Sequence, residues 1–493
     1  SYVLTRYRQW QIAGSLGGIF YSTVTPWQSS GGVQVMLGNY LHNSDIQYMG
    51  QVAPVQLPAE LDGYNIRRGF WETSDLMYRF SLQVMARKIA HLKSNPLPPA
   101  EAAVPDMQQL PAVTKMVERP RPFEVDLAAL EGMVKELSAL FKDYKELFNS
   151  NVMLVAVEQD NFRLTSENVR LKFPLGLVGL TVSASVRTTD GSTVSDVLAI
   201  SSLENPADLP SLEELKKKVT DFADNLMELK ETPMIEEYYT GPVLFEEGAA
   251  SRLFTDNLLS PGRLLALRTM APARGMLDEQ LGRKIMDSRL TVKNYTMLVE
   301  YDGTPLFGHY EIDGDGVVPA AELTLVENGV FKRMLNGRVP TLKAPESTGS
   351  ARFMISPDNP VAIVSPGTIH VQTSKSVAPE KLKKALLKAA KEADLEYAYI
   401  VRRIGGEASA VYKVNVKDGK ETRVRVNNLS APELTKLMDL KGISSDERVM
   451  NYFPNGVPAS LIYPSAIIVG DVEINRTTPK IEEVPVLKHP LQR

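Results

Sequence analysis

The residues best suited to chemistry in this sequence are two adjacent carboxylates, Glu246 and Glu247, at a predicted strand-to-helix junction. The apolar run at 243–245 predicts a buried strand, and apolar residues at helical spacing follow it as far as Leu258. Adjacent carboxylates can position a metal or a water for proton transfer. The same pair is also typical of a purely structural helix start, because the helix dipole favours negative charge in the first turn.

Histidine is the other residue type here that could bind a metal or move a proton. None of the five histidines has a second histidine at metal-ligand spacing, so the HExxH zinc-protease helix is absent. His309 precedes the acidic turn 313–316, where it is either a ligand or base or a partly exposed structural histidine. The turn resembles part of a calcium loop, but Glu322 is not at the position that such a loop requires, which favours a tight turn. The histidines are His42, His91, His309, His370 and His489.

Composition excludes several other classes of site. The chain has no cysteine, which excludes disulfides, thiolate zinc sites and a cysteine nucleophile. A formal net charge of −4 argues against a general nucleic-acid binder. The sequence contains no P-loop, no dinucleotide-binding glycine fingerprint and no GxSxG elbow. No apolar run approaches the roughly 20 residues of a membrane span.

The first half of the chain, residues 1–232, is predicted to be an α+β domain of sheets and helices. The whole chain has 493 residues, which is too many for a single hydrophobic core, so two domains or more are predicted. The proline-rich stretch 95–122 is predicted to be a loop or linker. The predicted helices cover residues 71–93, 126–148 and 211–229, and the predicted strands 2–12, 17–24, 32–39, 152–157, 169–173, 180–186 and 194–200.

The second half, residues 233–493, is predicted to be mostly antiparallel β-structure. Two helices interrupt it, near 246–258 and 379–393. Lysines crowd the second helix, which indicates a solvated face. The predicted strands cover 295–301, 310–312, 322–327, 330–335, 398–404, 410–416, 422–426 and 466–474, and a tail is predicted from 479.

A distinctive stretch of the second half is 301–338, YDGTPLFGHYEIDGDGVVPAAELTLVENGVFKRMLNGR. In this stretch above all, the sequence resembles the TldD/PmbA family, long labelled modulators of DNA gyrase and regarded as peptidases. The resemblance covers most of the chain. It implies an N-terminal α+β domain, a largely antiparallel C-terminal domain, and dimers that enclose a cavity for unfolded or small peptides. Further matching segments are 239–258, 346–353, 394–406 and 451–469.

One departure from the family pattern bears directly on activity. Catalytic members carry HExxxH at the strand-to-helix junction, where two histidines bind zinc and the glutamate activates water, and a later cysteine adds a ligand. Phe245, Glu246 and Ala250 stand at the three motif positions in this chain. Neither phenylalanine nor alanine can donate a lone pair to a metal. Both histidines and the cysteine of the motif-bearing members are absent from this chain, and the loss of three ligands argues against this zinc site.

The resemblance therefore implies a non-catalytic or atypical member of a metallopeptidase family. The PmbA (TldE) branch lacks the motif and pairs with a motif-bearing TldD subunit, so zinc is expected only in such a partner. The substrate-binding candidates are Gly349, Ser350, Arg352 and His309, since an arginine can hold a peptide carboxylate bidentately. Alternatives are a hydrolase that uses Glu246, Glu247 and His309 with a non-standard metal site, and a homodimeric peptide-binding protein without catalysis.

The chain's beginning predicts a location. SYVLTRYRQW is typical of the middle of a strand rather than of a signal peptide or a translation start, so residues are expected upstream of Ser1. This start and the absence of cysteine favour an exported or periplasmic protein over a cytoplasmic one.

Overall fold

The computed structural model describes residues 1–45, 52–55, 57–58, 62–269, 276–355, 362–426 and 429–475. The protein has the predicted α+β class, with one sheet in its first half and two large sheets in its second. The predicted tail from 479 lies outside the described residues. None of the helices in the described part combines the length and apolar character that crossing a membrane requires.

The first half forms a seven-stranded sheet in the order β3-β2-β1-β5-β6-β4, with β7 also paired to β6. Trp10 and Ile12 on β1 begin an apolar core that helices α3 and α4 cover. Ser211 and Glu214 form the capping box that starts α4. The elements are β1 (Tyr2–Ser15), β2 (Gly18–Val33), β3 (Ala53–Val55), α1 (Gly63–Ser94), α2 (Pro99–Ala102), β4 (Val113–Met116), α3 (Leu127–Ala139), β5 (Leu147–Leu164), β6 (Val169–Arg187), β7 (Thr193–Leu203) and α4 (Leu212–Glu231).

Three predictions for the first half are corrected. The stretch 95–122 contains α2 and β4 and is not only a loop. The predicted helix 126–148 ends earlier, in a short 3-10 turn, and β5 begins at Leu147. The third predicted strand, 32–39, contributes only the end of β2.

Helix α1 begins eight residues before its prediction and buries a different face. Its buried side chains are Met77, Ser81, Val84 and Lys88. Two polar side chains fall on this face because each has a partner there: Ser81 donates to the Val35 carbonyl and Lys88 donates to the Asp106 carboxylate. Helical spacing in 71–93 predicts an apolar stripe of Leu76, Met77, Phe80, Val84 and Ile89. This prediction was wrong for Leu76, Phe80 and Ile89, which are exposed.

The second half contains two six-stranded sheets, in the orders β13-β12-β9-β16-β22-β21 and β19-β18-β17-β8-β23-β20. The predicted antiparallel character holds for most pairs, but β16 pairs with β22 and β8 with β17 in parallel. The elements are β8 (Tyr239–Glu246), α5 (Glu247–Leu258), β9 (Leu290–Tyr295), β10 (Glu300–Tyr301), β11 (Thr304–Pro305), β12 (Glu322–Glu327), β13 (Val330–Phe331), β14 (Ala351–Phe353), β15 (Ala362–Val364), β16 (Thr368–Thr373), α6 (Pro379–Glu392), β17 (Tyr397–Arg403), β18 (Ala410–Asn415), β19 (Glu421–Val424), β20 (Leu440–Ile443), β21 (Glu447–Tyr452), β22 (Ala459–Pro464) and β23 (Ala466–Ile474).

Strand β8 lies at the centre of the second half because it is apolar on both faces. Val243 and Phe245 belong to the main core, and Leu244 faces a smaller core that α6 covers. A strand buried on both faces is a continuous apolar run rather than an alternating one, as in 243–245. Three predicted strands were wrong: residues 310–312 form a loop, 330–335 is a strand only in its first two residues, and 295–301 is interrupted at 296–299, between the end of β9 and β10.

The two halves are joined by ion pairs across their boundary. Arg403 pairs with Asp196, at 2.9 and 2.6 Å, and Arg163 lies 2.9 Å from the Asp315 carboxylate. Every strand of the first sheet ends by Leu203, and the later strands begin at Tyr239 or beyond. The domain division at 232 and 233 falls between them and stays a prediction.

Candidate functional site

The strand-to-helix junction forms where predicted, with Glu246 as the last residue of β8 and α5 beginning at Glu247. The Glu246 carboxylate accepts a hydrogen bond from Nε of Arg402, at 3.1 Å. Arg402 also donates to Glu421, at 2.9 Å, and Glu421 accepts from Lys383, at 2.7 Å. Glu246 is therefore one end of a chain of alternating charges, and a cation already neutralises its carboxylate.

The two neighbours that the family motif would make zinc ligands are part of the core. Phe245 and Ala250 are both 0% exposed and pack in the main apolar cluster of the second half. No group of three or more histidine, cysteine, aspartate or glutamate side chains able to hold a metal occurs among the described residues. The residues at this junction therefore do not fit a zinc ion.

Glu247 differs from Glu246 in backbone and in exposure. Its φ is 51°, in the left-handed region that a non-glycine residue enters only at an energetic cost. Its N–H donates to the Ser465 carbonyl at 3.0 Å, which fixes this conformation, and its side chain is exposed. The conformation turns the chain sharply from strand to helix, and the two carboxylates do not share a partner.

A cavity of about 210 Å³ lies elsewhere, between the two halves of the chain. His309 and Arg352 line it, as do Tyr310 and Asp313, whereas Glu246 and Glu247 are not among its lining residues. The structure therefore does not bring the carboxylate pair together with His309, as the stand-alone hydrolase would require. One wall comes from residues 117–120 and 173–176 of the first half, and the other from Phe307, residues 309–314 and residues 352–353.

The first wall lies at the edge of strand β6, where residues 173–176 lack a neighbouring strand on one side within the described part of the chain. Strand β4 pairs with its beginning, 169–172, and β7 pairs with it from Leu177 onwards. The Lys172 and Gly176 carbonyls still accept backbone bonds on either side. Pro174 lies between them and has no N–H to offer a neighbouring strand. The gap therefore leaves part of the sheet edge facing the cavity.

The second wall is organised around Tyr310 and Arg352. The Arg352 guanidinium carbon lies 4.4 Å from the centre of the Tyr310 ring, a cation–π contact. The Tyr310 hydroxyl donates to the Gly349 carbonyl at 2.8 Å. Burial lowers the pKa of Arg352 to about 10 and raises the pKa of Tyr310 to about 12, so both groups keep their usual charge near pH 7.

Gly349 and Ser350 lie behind this wall and support it. Gly349 has a φ of 69°, and a Cβ there would approach Pro319 Cα to 2.9 Å, so the position requires glycine. Ser350 is fully buried, its hydroxyl lies 2.9 Å from that of Thr348, and its carbonyl accepts from Ser365. Of the four predicted binding residues, His309 and Arg352 line the cavity and these two position its wall.

The acidic turn 313–316 is a tight turn, in agreement with its sequence. Asp313 accepts from the N–H groups of Asp315 and Val317 through one oxygen and from Ala351 through the other. Burial and the Asp315 carboxylate raise the pKa of Asp313 to about 7, against these three donors. Asp315 pairs with Arg163 of the first half. The turn is therefore a connection between the two halves.

Sequence reasoning did not identify two groups of polar residues. Arg402 and Arg403 are the last two residues of the otherwise apolar strand β17, and charges at the end of such a run are the signal that could have drawn attention to Arg402. His370 lies on β16 with Nε2 3.0 Å from both carboxylate oxygens of Glu447, which also accepts a hydrogen bond from Tyr301. No spacing in the sequence joins these three, because they lie on three strands, β10, β16 and β21, that are far apart in the chain.

Comparisons with known proteins agree with this architecture. A family model described as the PmbA/TldA metallopeptidase C-terminal domain matches residues 239–476. TldE from Thermococcus kodakarensis is 14% identical, with a TM-score of 0.58 over 96% of each chain. A protein named as a modulator of DNA gyrase from Thermotoga maritima is 14% identical, with a TM-score of 0.56 over 96% of this chain and 95% of that one.

A third similar structure is a protein named as a modulator of DNA gyrase from Bacteroides thetaiotaomicron. It is 13% identical, with a TM-score of 0.51 over 95% of this chain and 94% of that one. At these identities the likeness shows a common fold. A search of curated protein sequences finds no match.

Proposed function

This chain belongs to the TldD/PmbA family, and we propose that within it the chain is a non-catalytic member that contributes a peptide-binding chamber to a dimeric protease. The proposed partner is a paralogue that carries HExxxH and holds the zinc. The proposed substrates are unfolded or small peptides. Nucleic acid is not a proposed ligand, since the net charge is negative.

The observation that carries the proposal is the state of the junction at Glu246. A general base needs a carboxylate free to accept a proton from water. Here the carboxylate is engaged by Arg402 at 3.1 Å, and the flanking side chains are core residues without lone pairs. Binding is the role left to a member with this junction, and the cavity between the halves offers a site for it.

A homodimeric peptide-binding protein is the second candidate. It needs no catalytic partner, and the cavity between the two halves would serve as its binding site as well. The stand-alone hydrolase has no such support, because Glu246 and His309 belong to different sites.

Zinc content and peptide cleavage test the proposal together. The purified chain is analysed for metal and assayed with unfolded casein, alone and after mixing with an HExxxH-bearing paralogue from the same organism, with and without a chelator. We expect no stoichiometric zinc and no cleavage by the chain alone, and chelator-sensitive cleavage by a mixed dimer of defined mass. Stoichiometric zinc with cleavage by the chain alone would overturn the proposal.

A matched variant separates the two roles of the subunits. Glu246→Gln keeps the size of the side chain and should leave cleavage by the mixed dimer unchanged. The equivalent glutamate-to-glutamine change in the HExxxH of the paralogue should abolish it. A stable homodimer that binds peptides and forms no complex with the paralogue would replace the leading proposal with the second candidate.

A further inference from the structure

The cavity contains a buried cation without a carboxylate partner. Arg352 is only 8% exposed, and no described carboxylate forms an ion pair with it. The titratable groups that influence its pKa are two tyrosines, Tyr310 and Tyr452. Burying a charge is costly unless an opposite charge or hydrogen bonds compensate. The arginine is therefore held in place with part of its binding capacity unused.

The unused part is one edge of the guanidinium. Nη1 donates to the carbonyls of Pro366 and Pro458. Nε and Nη2 have no acceptor among the described residues. These two groups present parallel N–H donors, the geometry that binds both oxygens of a carboxylate. Since Nη1 is fixed on the backbone, the Nε–Nη2 edge is the part available to the cavity that Arg352 lines.

Most other charges around the cavity are already paired. Glu118 pairs with Lys172 and Glu311 with Lys115, each at 2.6 Å. Arg119 lies between Glu158 and Asp160, at 3.4 and 3.6 Å. Asp313 is bonded to three backbone N–H groups. The exposed residues Glu204 and His309 also contribute to the lining. Arg352 is thus the lining cation whose anion is missing from the described part of the chain.

Apart from these polar residues the lining of the cavity is apolar, and the cavity is small. Its walls include the side chains of Phe173, Leu175, Phe307, Ile312 and Phe353. Its volume of about 210 Å³ is below the roughly 300–1,000 Å³ of a typical drug-sized site. It suits one apolar residue that carries a carboxylate rather than a longer ligand.

We propose that this cavity binds the C-terminal residue of a peptide, with the terminal carboxylate on the Nε–Nη2 edge of Arg352 and an apolar side chain against the aromatic walls. The inference rests on the proposed peptide-binding function and narrows it to peptides with a free, apolar C-terminus. Tyr310 is a positioning residue in this site, because its ring supports the guanidinium and its hydroxyl ties the wall to Gly349.

Fluorescence polarisation with three probes tests the inference on the intact chain. The probes are fluorescein-Gly-Gly-Phe with a free carboxylate, the same peptide as its C-terminal amide, and unlabelled N-acetylphenylalanine as a competitor. We expect the acid to bind about tenfold to a hundredfold more tightly than the amide, the range of a hydrogen bond to a charged group. Arg352→Gln should remove this preference, and the exposed Arg333→Gln should keep it.

The outcomes separate this inference from the proposed function. Equal binding of acid and amide to the unaltered chain overturns the inference and leaves the peptide-binding function in place. Absence of binding by both peptides overturns both. Failure of saturating N-acetylphenylalanine to displace the bound acid peptide overturns the placement of the terminal residue in this cavity, because this competitor carries the same side chain and carboxylate. The acid–amide comparison needs no variant, so a folding defect in Arg352→Gln, checked by circular dichroism, does not block the test.

Discussion

The Arg402 guanidinium lies 3.1 Å from the Glu246 carboxylate, although 156 residues separate them in the chain. The parallel pairing of β17 with β8 places the two side by side at the ends of their strands. The contact occupies the one motif residue of a catalytic family member that this chain retains. Arg402 therefore places a fixed positive charge beside the Glu246 carboxylate.

Removing the cation should weaken the fold without creating a metal site. Arg402→Met leaves Glu246 without its cation and Glu421 with Lys383 alone. Since the Arg402–Glu246 pair is about one-third exposed, we expect a loss of about 1–2 kcal/mol in the free energy of unfolding, between exposed and buried pairs. Urea denaturation measures it. Lys388→Met, in an exposed pair with Glu392, is the control and should change nothing measurable, and zinc uptake by Arg402→Met would contradict the expectation.

Phe245 should behave as a core residue rather than as a vestige of a site. It is 0% exposed, so Phe245→Ala removes a buried ring and leaves a cavity, and should cost about 3–5 kcal/mol. Phe20→Ala removes the same ring from a position that is 66% exposed and should have little effect. Urea midpoints of the two variants give the comparison. Similar midpoints would show that Phe245 is not packed as described.

Acid should weaken the contact between the two halves. Burial alone would raise the pKa of Asp190, but bonds from Ser192 and Thr188 and the charge of Arg425 outweigh it and lower the pKa to about 2. A lowered carboxylate pKa stabilises the fold above the unfolded value near 4, and this stabilisation is lost as pH falls from about 4 to about 2. Asp190→Asn should therefore reduce the fall in melting temperature over this window, as scanning calorimetry measures. An unchanged pH dependence would contradict it.

The ion pair between Arg163 and Asp315 should matter more than an exposed one. Both side chains are about nine-tenths buried, so Arg163→Met leaves the buried Asp315 carboxylate without this ion pair. The free energy of unfolding should fall by about 3–5 kcal/mol. Arg68→Met is the control, because Arg68 and its partner Glu72 are more than half exposed. Chemical denaturation of both variants tests the difference. Equal stability would mean that the turn 313–316 does not connect the halves.

The sequence predicts those elements whose signals are local. The junction at 246 and 247 and the start of α4 after Ser211 appear where the pattern places them, because a change of period and a capping box each involve only a few neighbouring residues. Periodicity alone assigns Phe245 and Ala250 to a core. Only the family resemblance indicates that they stand where catalytic members have zinc-binding histidines.

The candidate site was less predictable because its contacts span long distances along the chain. Residues 310–312 have the composition of a strand but form a loop, in which Tyr310 packs on Arg352 and bonds to Gly349. The cavity wall at 173–176 comes from a strand of the other half. No local pattern joins these segments, and the burial of Arg352 follows only once they meet.

The arginines near the end of the second sheet have a consequence for how a ligand enters. Arg403, Arg423 and Arg425 each reach an acidic residue of the first half, at Asp196, Glu228 and Asp190, and the last two arginines are almost fully buried. A hinge motion that separates the two halves would break three ion pairs at once. These pairs therefore oppose a separation of the two walls of the cavity.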